Sequence, residues 1–300
     1  MESREAERAS ENTYIFDPES ATELARLINQ ERVVTGAMGG ALSGVPEPDS
    51  LSNIFDLACG AGGWGLDVAF LLPGAEIEGV DVSRKMVDYA NARARTQRLS
   101  NVSFGVMDIT RPFEVPDQSF DLVNARFLAA VLKREAWLPF LAECHRVLRP
   151  GGFLRLTEAA DFGMTTSEAV NQLMELTRNT LYQLGYGFTS DHALGLLPVL
   201  LSFVKGQGYQ HIHVLSHALD YSSKTEAWAD TYHNIDIISQ QMLPVFLKLN
   251  LLSEGMFQFF HQQAIIDLQS DSFCGLAHLT TIVGQKPPTS GSEHPTITAL

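Results

Sequence analysis

Thirteen consecutive residues, Asn53 to Gly65, constrain this chain more than any others: N-I-F-D-L-A-C-G-A-G-G-W-G. The segment opens as an apolar run of strand type and breaks into glycines. It resumes as an apolar helical stretch through Leu66, Val68, Ala69, Leu71 and Leu72. A strand, a glycine-rich turn and a helix form the nucleotide-cradling corner of an open α/β sheet. Glycine is required there because the turn is tight and a ligand must lie against bare backbone. Gly60, Gly62 and Gly65 satisfy G-x-G-x-x-G, a pattern that by itself also fits a dinucleotide site.

The remaining chain alternates strands and helices around that corner. Asp17-Pro18 reads as the cap and first-turn proline of a helix whose apolar face carries Leu24, Leu27 and Ile28. Thr35 to Gly44 is glycine-rich and reads as irregular. Strand two is expected over Glu76 to Val80, ending at Asp81, and Ser83 caps a helix reaching Arg98. Strand three runs from Val102 to Met107, and strand four from Phe120 to Val123. A helix from Arg134 to Val147 precedes a turn at Arg149-Pro150-Gly151-Gly152 and strand five, Phe153 to Thr157. Such alternation predicts right-handed crossovers and a mostly parallel sheet. Beyond Glu158, helices are expected over Glu168–Leu184, Asp191–Lys205 and Glu226–Asn250 (interrupted near Pro244), and after the Ser253 cap. Strands are expected over His211–Tyr221 and Leu279–Gly284.

Bulk properties exclude several classes. With 35 acidic against 21 basic residues, a net charge of −14 argues against a phosphate-backbone partner, which needs a basic footprint. It argues equally against an anionic membrane surface. The most apolar run, Ala193 to Val204, is too short to span a bilayer and contains Pro198. Cys59, Cys144 and Cys274 are few and far apart, which reads as reduced thiols in a cytoplasmic protein. Met1 to Asn12 is charged and lacks an apolar core, so it does not read as a signal peptide.

Acidic residues recur at the strand ends. Asp56 precedes the glycine turn, Asp81 stands 21 positions after Gly60, and Asp108 follows strand three in Gly105-Val106-Met107-Asp108-Ile109. Asn124 closes strand four in Asp117-Gln118-Ser119-Phe120-Asp121-Leu122-Val123-Asn124-Ala125, and Leu148-Arg149-Pro150-Gly151-Gly152 comes later. With Asp56-Leu57-Ala58-Cys59-Gly60-Ala61-Gly62, these segments resemble in order the class I methyltransferases that use S-adenosylmethionine (SAM), of small-molecule type with a menaquinone-methyltransferase-like core. The likeness covers Tyr14 to Glu158; the later residues match by layout alone.

The resemblance implies an α/β fold: a Rossmann-like, seven-stranded, mostly parallel sheet with an antiparallel last strand between strands five and six. Helices lie on both faces, with helical cap insertions. It implies an N-terminal tail and lid helix (1–50), a SAM-binding core (51–158), a helical substrate cap with the last two strands (159–287) and a disordered tail (288–300). The SAM site would comprise Asp56 toward the ammonium, Ala58, Cys59, Gly60 and Gly62 as the turn, and Asp81 on the ribose hydroxyls. Val82 and Met86 would flank the adenine, Asp108 and Ile109 would read its edge, and Asn124 would complete the set. Tyr14, Arg26, Gln30 and the Gly36–Gly40 loop would belong to a lid, or to a plain packing helix.

The implied function is methyl transfer from SAM to an O, N or C nucleophile of a small, partly hydrophobic acceptor, with no nucleic acid or membrane partner, by a monomer or homodimer. The alternatives are a SAM-binding protein without methyl transfer, cyclase-like or a binding module, and a nicotinamide-dependent reductase. His192, His233 and His261, with Tyr182 as an orienting hydroxyl, are the candidates for acid–base work. Cys59 reads as a small packing residue, not a nucleophile. His211, His213 and His217 share a strand face without a carboxylate or cysteine at ligand spacing, so no metal is expected. Trp64 reads equally as core or ligand wall.

Overall fold

A computed structural model describes residues 14–161, 163–189 and 194–288. The strands are β1 (Asn53–Leu57), β2 (Glu76–Asp81), β3 (Val102–Val106), β4 (Phe120–Arg126), β5 (Leu148–Ala159), β6 (Met164–Thr165), β7 (Gln210–Asp220) and β8 (Gly275–Gln285). They form one sheet in the order β3-β2-β1-β4-β5-β8, with β7 on the far edge of β8. The first five pair in parallel, whereas β8 is antiparallel to both β5 and β7. The last strand in sequence therefore lies between the fifth strand and β7, as expected. The two-residue β6 is an addition, pairing with β8 at Gly275 and Leu276.

The central strands are buried on both faces because helices cover both. On one face, Ile54, Ile77 and Leu122 pack with Trp64, Leu66 and Val68 of α2 (Gly63–Leu71) and Val87 and Ala90 of α3 (Arg84–Gln97). On the other, Phe55, Leu57 and Val123 pack with Trp137, Phe140 and Leu141 of α4 (Trp137–Val147) and Leu200 and Val204 of α6 (Leu196–Gly206). A third core lies beyond the sheet. There α5 (Glu168–Gln183), α7 (Trp228–Lys248) and α8 (Glu254–Leu268) pack Leu173, Met242, Phe246 and Phe257 together.

Several local expectations are corrected. Helix α1 (Ala21–Ala37) starts at Ser20, whose hydroxyl accepts from the Glu23 amide; Asp17 accepts from the Glu19 amide in the preceding turn. Ser20-x-x-Glu23 is an N-terminal signature of higher specificity than Asp-Pro. The expected irregular run from Thr35 is helical as far as Ala37. Arg149–Gly152 is not a free turn but the irregular start of β5: Gly151 sits at φ 83°, and its N–H donates to the Lys286 carbonyl. Helix α7 runs unbroken through Pro244. The carbonyl that loses its donor belongs to Gln240, which is exposed and can turn to water. Trp64 is core, its indole N–H donating to the Ala41 carbonyl at 2.8 Å. The expected tails, residues 1–12 and most of 288–300, and the start of the helix placed at Asp191, lie outside the described residues.

Candidate functional site

The glycine turn is built by left-handed backbone. Ala58 (φ 52°), Gly60 (φ 53°) and Gly62 (φ 78°) alternate with ordinary residues and swing the chain from β1 into α2. A non-glycine residue held there is strained, and such strain concentrates at ligand sites. Against this turn opens a cleft at the carboxyl ends of β1, β2 and β4 and beside the segment following β3. Asp56, Ala58, Cys59 and Gly60 line it from β1 and the turn. Asp81, Val82 and Met86 line it from β2 and the start of α3, and Asp108 and Ile109 from beyond β3.

Two expected members stand elsewhere. Gly62 starts α2, and a Cβ there would meet Ala90 at 2.6 Å and Phe104 at 2.8 Å, so it fits the helix against the sheet and does not face the cleft. Asn124 is fully buried behind the lining, and its amide donates to Asp56 Oδ1 at 2.7 Å. Arg155 in turn donates to Asn124 Oδ1 at 2.8 Å, which fixes the orientation of that amide. Asn124 thus acts on the cleft through Asp56.

The electrostatics are dominated by buried carboxylates. Burial pushes Asp56 up to about 7, against the pull of Arg126 and the Asn124 amide. Asp81 is also raised by burial, although it accepts the Ser83 and Gly60 amides, both at 2.9 Å. Burial and the neighbouring Asp81 drive the Cys59 thiol well above its usual range, so it stays protonated and inert. Asp108 accepts the Thr110 amide and hydroxyl on one oxygen and pairs with Arg111 at 3.2 Å on the other.

Sequence reading missed Glu31 and Arg126. Glu31, on α1, lines the cleft, and burial raises its carboxyl despite Arg126 and Arg93, each 3.5 Å away. It accepts from the Trp64 amide, and a Cβ on Gly63 would run into its carboxylate, so it occupies the N-terminus of α2. The arginines Arg126, at the end of β4, and Arg155, within the apolar run of β5, were the available signal. A charge is kept in a core only where it is paired or serves a ligand.

A second, larger chamber adjoins the cleft and shares Tyr14, Leu27, Gln30 and Phe127 with it. Leu173, Met174 and Leu181 of α5, Ile235 and Ile238 of α7, and Leu219 and Leu279 of the last strands give it an apolar wall. Arg26 faces it but is consumed. It donates to both Glu23 oxygens, at 2.8 and 2.5 Å, to Gln30 at 2.5 Å and to Asn234 at 2.7 Å. Glu23 also accepts from Tyr14 Oη at 2.5 Å, so the N-terminal segment is tied to α7.

Of the expected acid–base candidates, His233, His261 and Tyr182 lie outside both cavities. His233 is exposed on α7, against the Tyr232 ring. His261 bonds Asp236 at 2.7 Å and stacks on Phe257. The Tyr182 ring is covered by Arg134 at 4.5 Å. Their helices turn these side chains away from the lining. His192 falls outside the described residues. Among the described residues, no group of three or more potential metal ligands occurs.

A parallel sheet in this order, closed by an inserted antiparallel strand and carrying acidic strand tips around a glycine turn, defines the Rossmann-like methyltransferase architecture. The family described as "Methyltransferase domain" matches residues 54–152, about a third of the chain. Among curated proteins, the demethylmenaquinone methyltransferase of Lactococcus lactis subsp. lactis is 32% identical over 102 residues, covering 33% of this chain and 39% of that protein. The methyltransferase grgD of a Penicillium species is 29% identical over 182 residues, covering 58% and 62%. The match spans about two-fifths of the length of the first curated relatives. Among solved structures, the YcgJ protein of Bacillus subtilis superposes with a TM-score of 0.55 at 18% identity, covering 84% of this chain and 98% of that one. That likeness is one of fold.

Proposed function

We propose that the chain is a SAM-dependent methyltransferase acting on a small, partly hydrophobic acceptor, with SAM in the glycine-turn cleft and the acceptor in the adjoining chamber. The observation that carries this reading is the convergence of Asp56, Asp81 and Asp108 on one cleft against a turn of left-handed backbone. When bound, SAM supplies an electrophilic methyl on a sulfonium. Asp81 suits the ribose diol, since a carboxylate is acceptor-only and takes both hydroxyl protons. Val82 and Met86 suit the adenine faces, and Asp108 its amine. Asp56 and Glu31 supply negative charge for an ammonium, and Arg126 beside them supplies positive charge for a carboxylate. The Tyr14–Glu23–Arg26 cluster holds the N-terminal segment as a cover over both cavities, which keeps water from the acceptor.

The nicotinamide alternative is disfavoured by Glu31. A dinucleotide brings its pyrophosphate to the N-terminus of the helix after the turn, and here a carboxylate already stands there. Among the described residues no helix is long and apolar enough to cross a membrane. The sparse cysteine pattern supports a cytoplasmic setting.

The test is calorimetry with S-adenosylhomocysteine, the demethylated product, followed by transfer of labelled methyl from SAM to a metabolite extract. Binding of the product and label in a small molecule are expected. Binding of NADH in its place would overturn the assignment. Binding without any transfer would favour a non-transferring SAM protein.

A further inference from the structure

Three carboxylates line the chamber but not the cofactor cleft: Asp230 pairs with Arg32, Asp161 accepts the Gly163 amide, and both are partly exposed, which leaves Glu158 as the buried one. Glu158 stands near the carboxyl end of β5, fully buried, and lines the chamber. Its Oε1 accepts the Leu128 amide at 2.6 Å. It thereby caps the short helical turn Leu128–Ala130, part of the loop from β4 that walls both cavities. No cation pairs with it among the described residues: of the arginines that line the two cavities, Arg26 pairs with Glu23 and Arg126 with Glu31. A carboxyl buried in an apolar wall without a counter-charge is costly as an ion. Capping a single turn calls for nothing more than a neutral acceptor such as glutamine. In the same lining, Tyr221 is buried with a hydroxyl that has no partner. The chamber therefore offers one buried carboxyl without a counter-charge, two partly exposed carboxylates with partners of their own, a buried hydroxyl without a partner, an apolar wall and no uncommitted cation among the described residues.

That inventory selects an acceptor class. A phosphate or carboxylate would enter without a counter-charge. An amine needs only to arrive neutral, and its proton can leave after transfer. A hydroxyl must shed its proton as the new bond forms, and a carbon acceptor activated by a hydroxyl must lose one too, so an acceptor bearing a hydroxyl is the case that calls for a base. We propose, on the basis of the function proposed above, that Glu158 is the general base for a neutral, largely apolar acceptor that presents a weakly acidic hydroxyl, as an alkylphenol does. The acceptor O–H bond breaks and its proton passes to the Glu158 carboxylate. The O–CH3 bond forms as the C–S bond of the sulfonium breaks, and sulfur keeps that electron pair. Burial pushes Glu158 up to about 8, so it holds that proton well near neutral pH, and the carboxylate form that starts the cycle becomes more abundant as pH rises.

The test uses the whole protein, para-octylphenol, its methyl ether and octyl phosphate. With S-adenosylhomocysteine bound, para-octylphenol should bind more tightly as pH rises through about 8, because the carboxylate accepts the phenolic proton. The methyl ether should show no such dependence. Glu158→Gln keeps an oxygen for the Leu128 amide, so it should fold and bind S-adenosylhomocysteine like the parent. It should lose the pH dependence of phenol binding and lower methyl transfer to the phenol by about 10²–10⁴-fold. The proposal is overturned if Glu158→Gln transfers methyl at the parental rate or keeps the parental pH dependence. It is equally overturned if the loaded protein ignores the phenol or prefers octyl phosphate. Failure of the parent to bind S-adenosylhomocysteine is a separate result: it removes the cofactor assignment, and this proposal with it.

Discussion

The two cavities share a wall but are made in different ways. The glycine-turn cleft is assembled from short contiguous motifs at strand tips, where backbone conformation and a few carboxylates set the shape. The chamber is assembled from side chains of α1, α5, α7, β7 and β8, drawn from positions as far apart as Val33 and Leu279. Motif-built sites tolerate little change at a few positions. Surfaces pooled from many helices tolerate change at most positions and shift their preferences gradually. On the proposed function, a common chemistry can thus be kept in one cavity while acceptor choice drifts in the other.

The difference can be broken most sharply at the glycines. Gly62→Val should fail to fold, since its Cβ collides with Ala90 and Phe104 from a left-handed backbone. Gly60→Ala meets only Leu27 at 3.9 Å, so it should fold with a penalty of about 1–2 kcal/mol and lose S-adenosylhomocysteine binding. Thermal melts with calorimetry separate the two outcomes. Next in size, Asp81→Ala should weaken S-adenosylhomocysteine by about 10–100-fold, the loss of charged hydrogen bonds worth about 1.5–3 kcal/mol. Binding unchanged by this substitution would show that the ribose lies elsewhere.

A smaller effect is expected from pH. The folded protein holds Asp56 near 7, above its ordinary value, and an ammonium ligand requires the carboxylate. Product affinity should therefore fall as pH drops below about 7 and level off above it, and Asp56→Asn should flatten the curve. The same shift makes Asp56 a stability cost: the unfolded chain releases that proton at lower pH, so the protein loses stability as pH rises toward 7. Asp56→Asn should reduce that loss in thermal melts across this window. Least of all, His233→Ala should leave product binding and methyl transfer within about twofold of the parent, as surface changes away from such features usually do.

The fold was legible wherever a local pattern decides structure. Alternating apolar strands, caps such as Ser83 and Ser253 and the glycine turn each carry their own instructions. Of the expected cofactor residues, Asp56, Asp81 and Asp108 line the cleft because a parallel sheet brings all its carboxyl ends to one edge, whereas Asn124 does not, since β4 runs two residues further, to Arg126. Glu31, Arg126 and Glu158 were not legible as partners, because their neighbours are set by how α1 and the β4 loop dock, which no local spacing encodes. The histidines misled for the converse reason. A titratable side chain draws attention in sequence, but the rotation of its helix decides whether it faces a cavity or, like His233, solvent.

The placement of β8 bears on how the molecule is made. Its partner β5 ends at Ala159, yet β8 begins only at Gly275. During synthesis the first five strands can assemble while the outer edge of β5 presents free amides and carbonyls through more than a hundred further residues. Such an edge invites pairing with another chain, and closing so long a loop is slow. The edge of β5 is thus guarded only once β8 has paired with it, and that pairing is the step that closes the sheet to other chains.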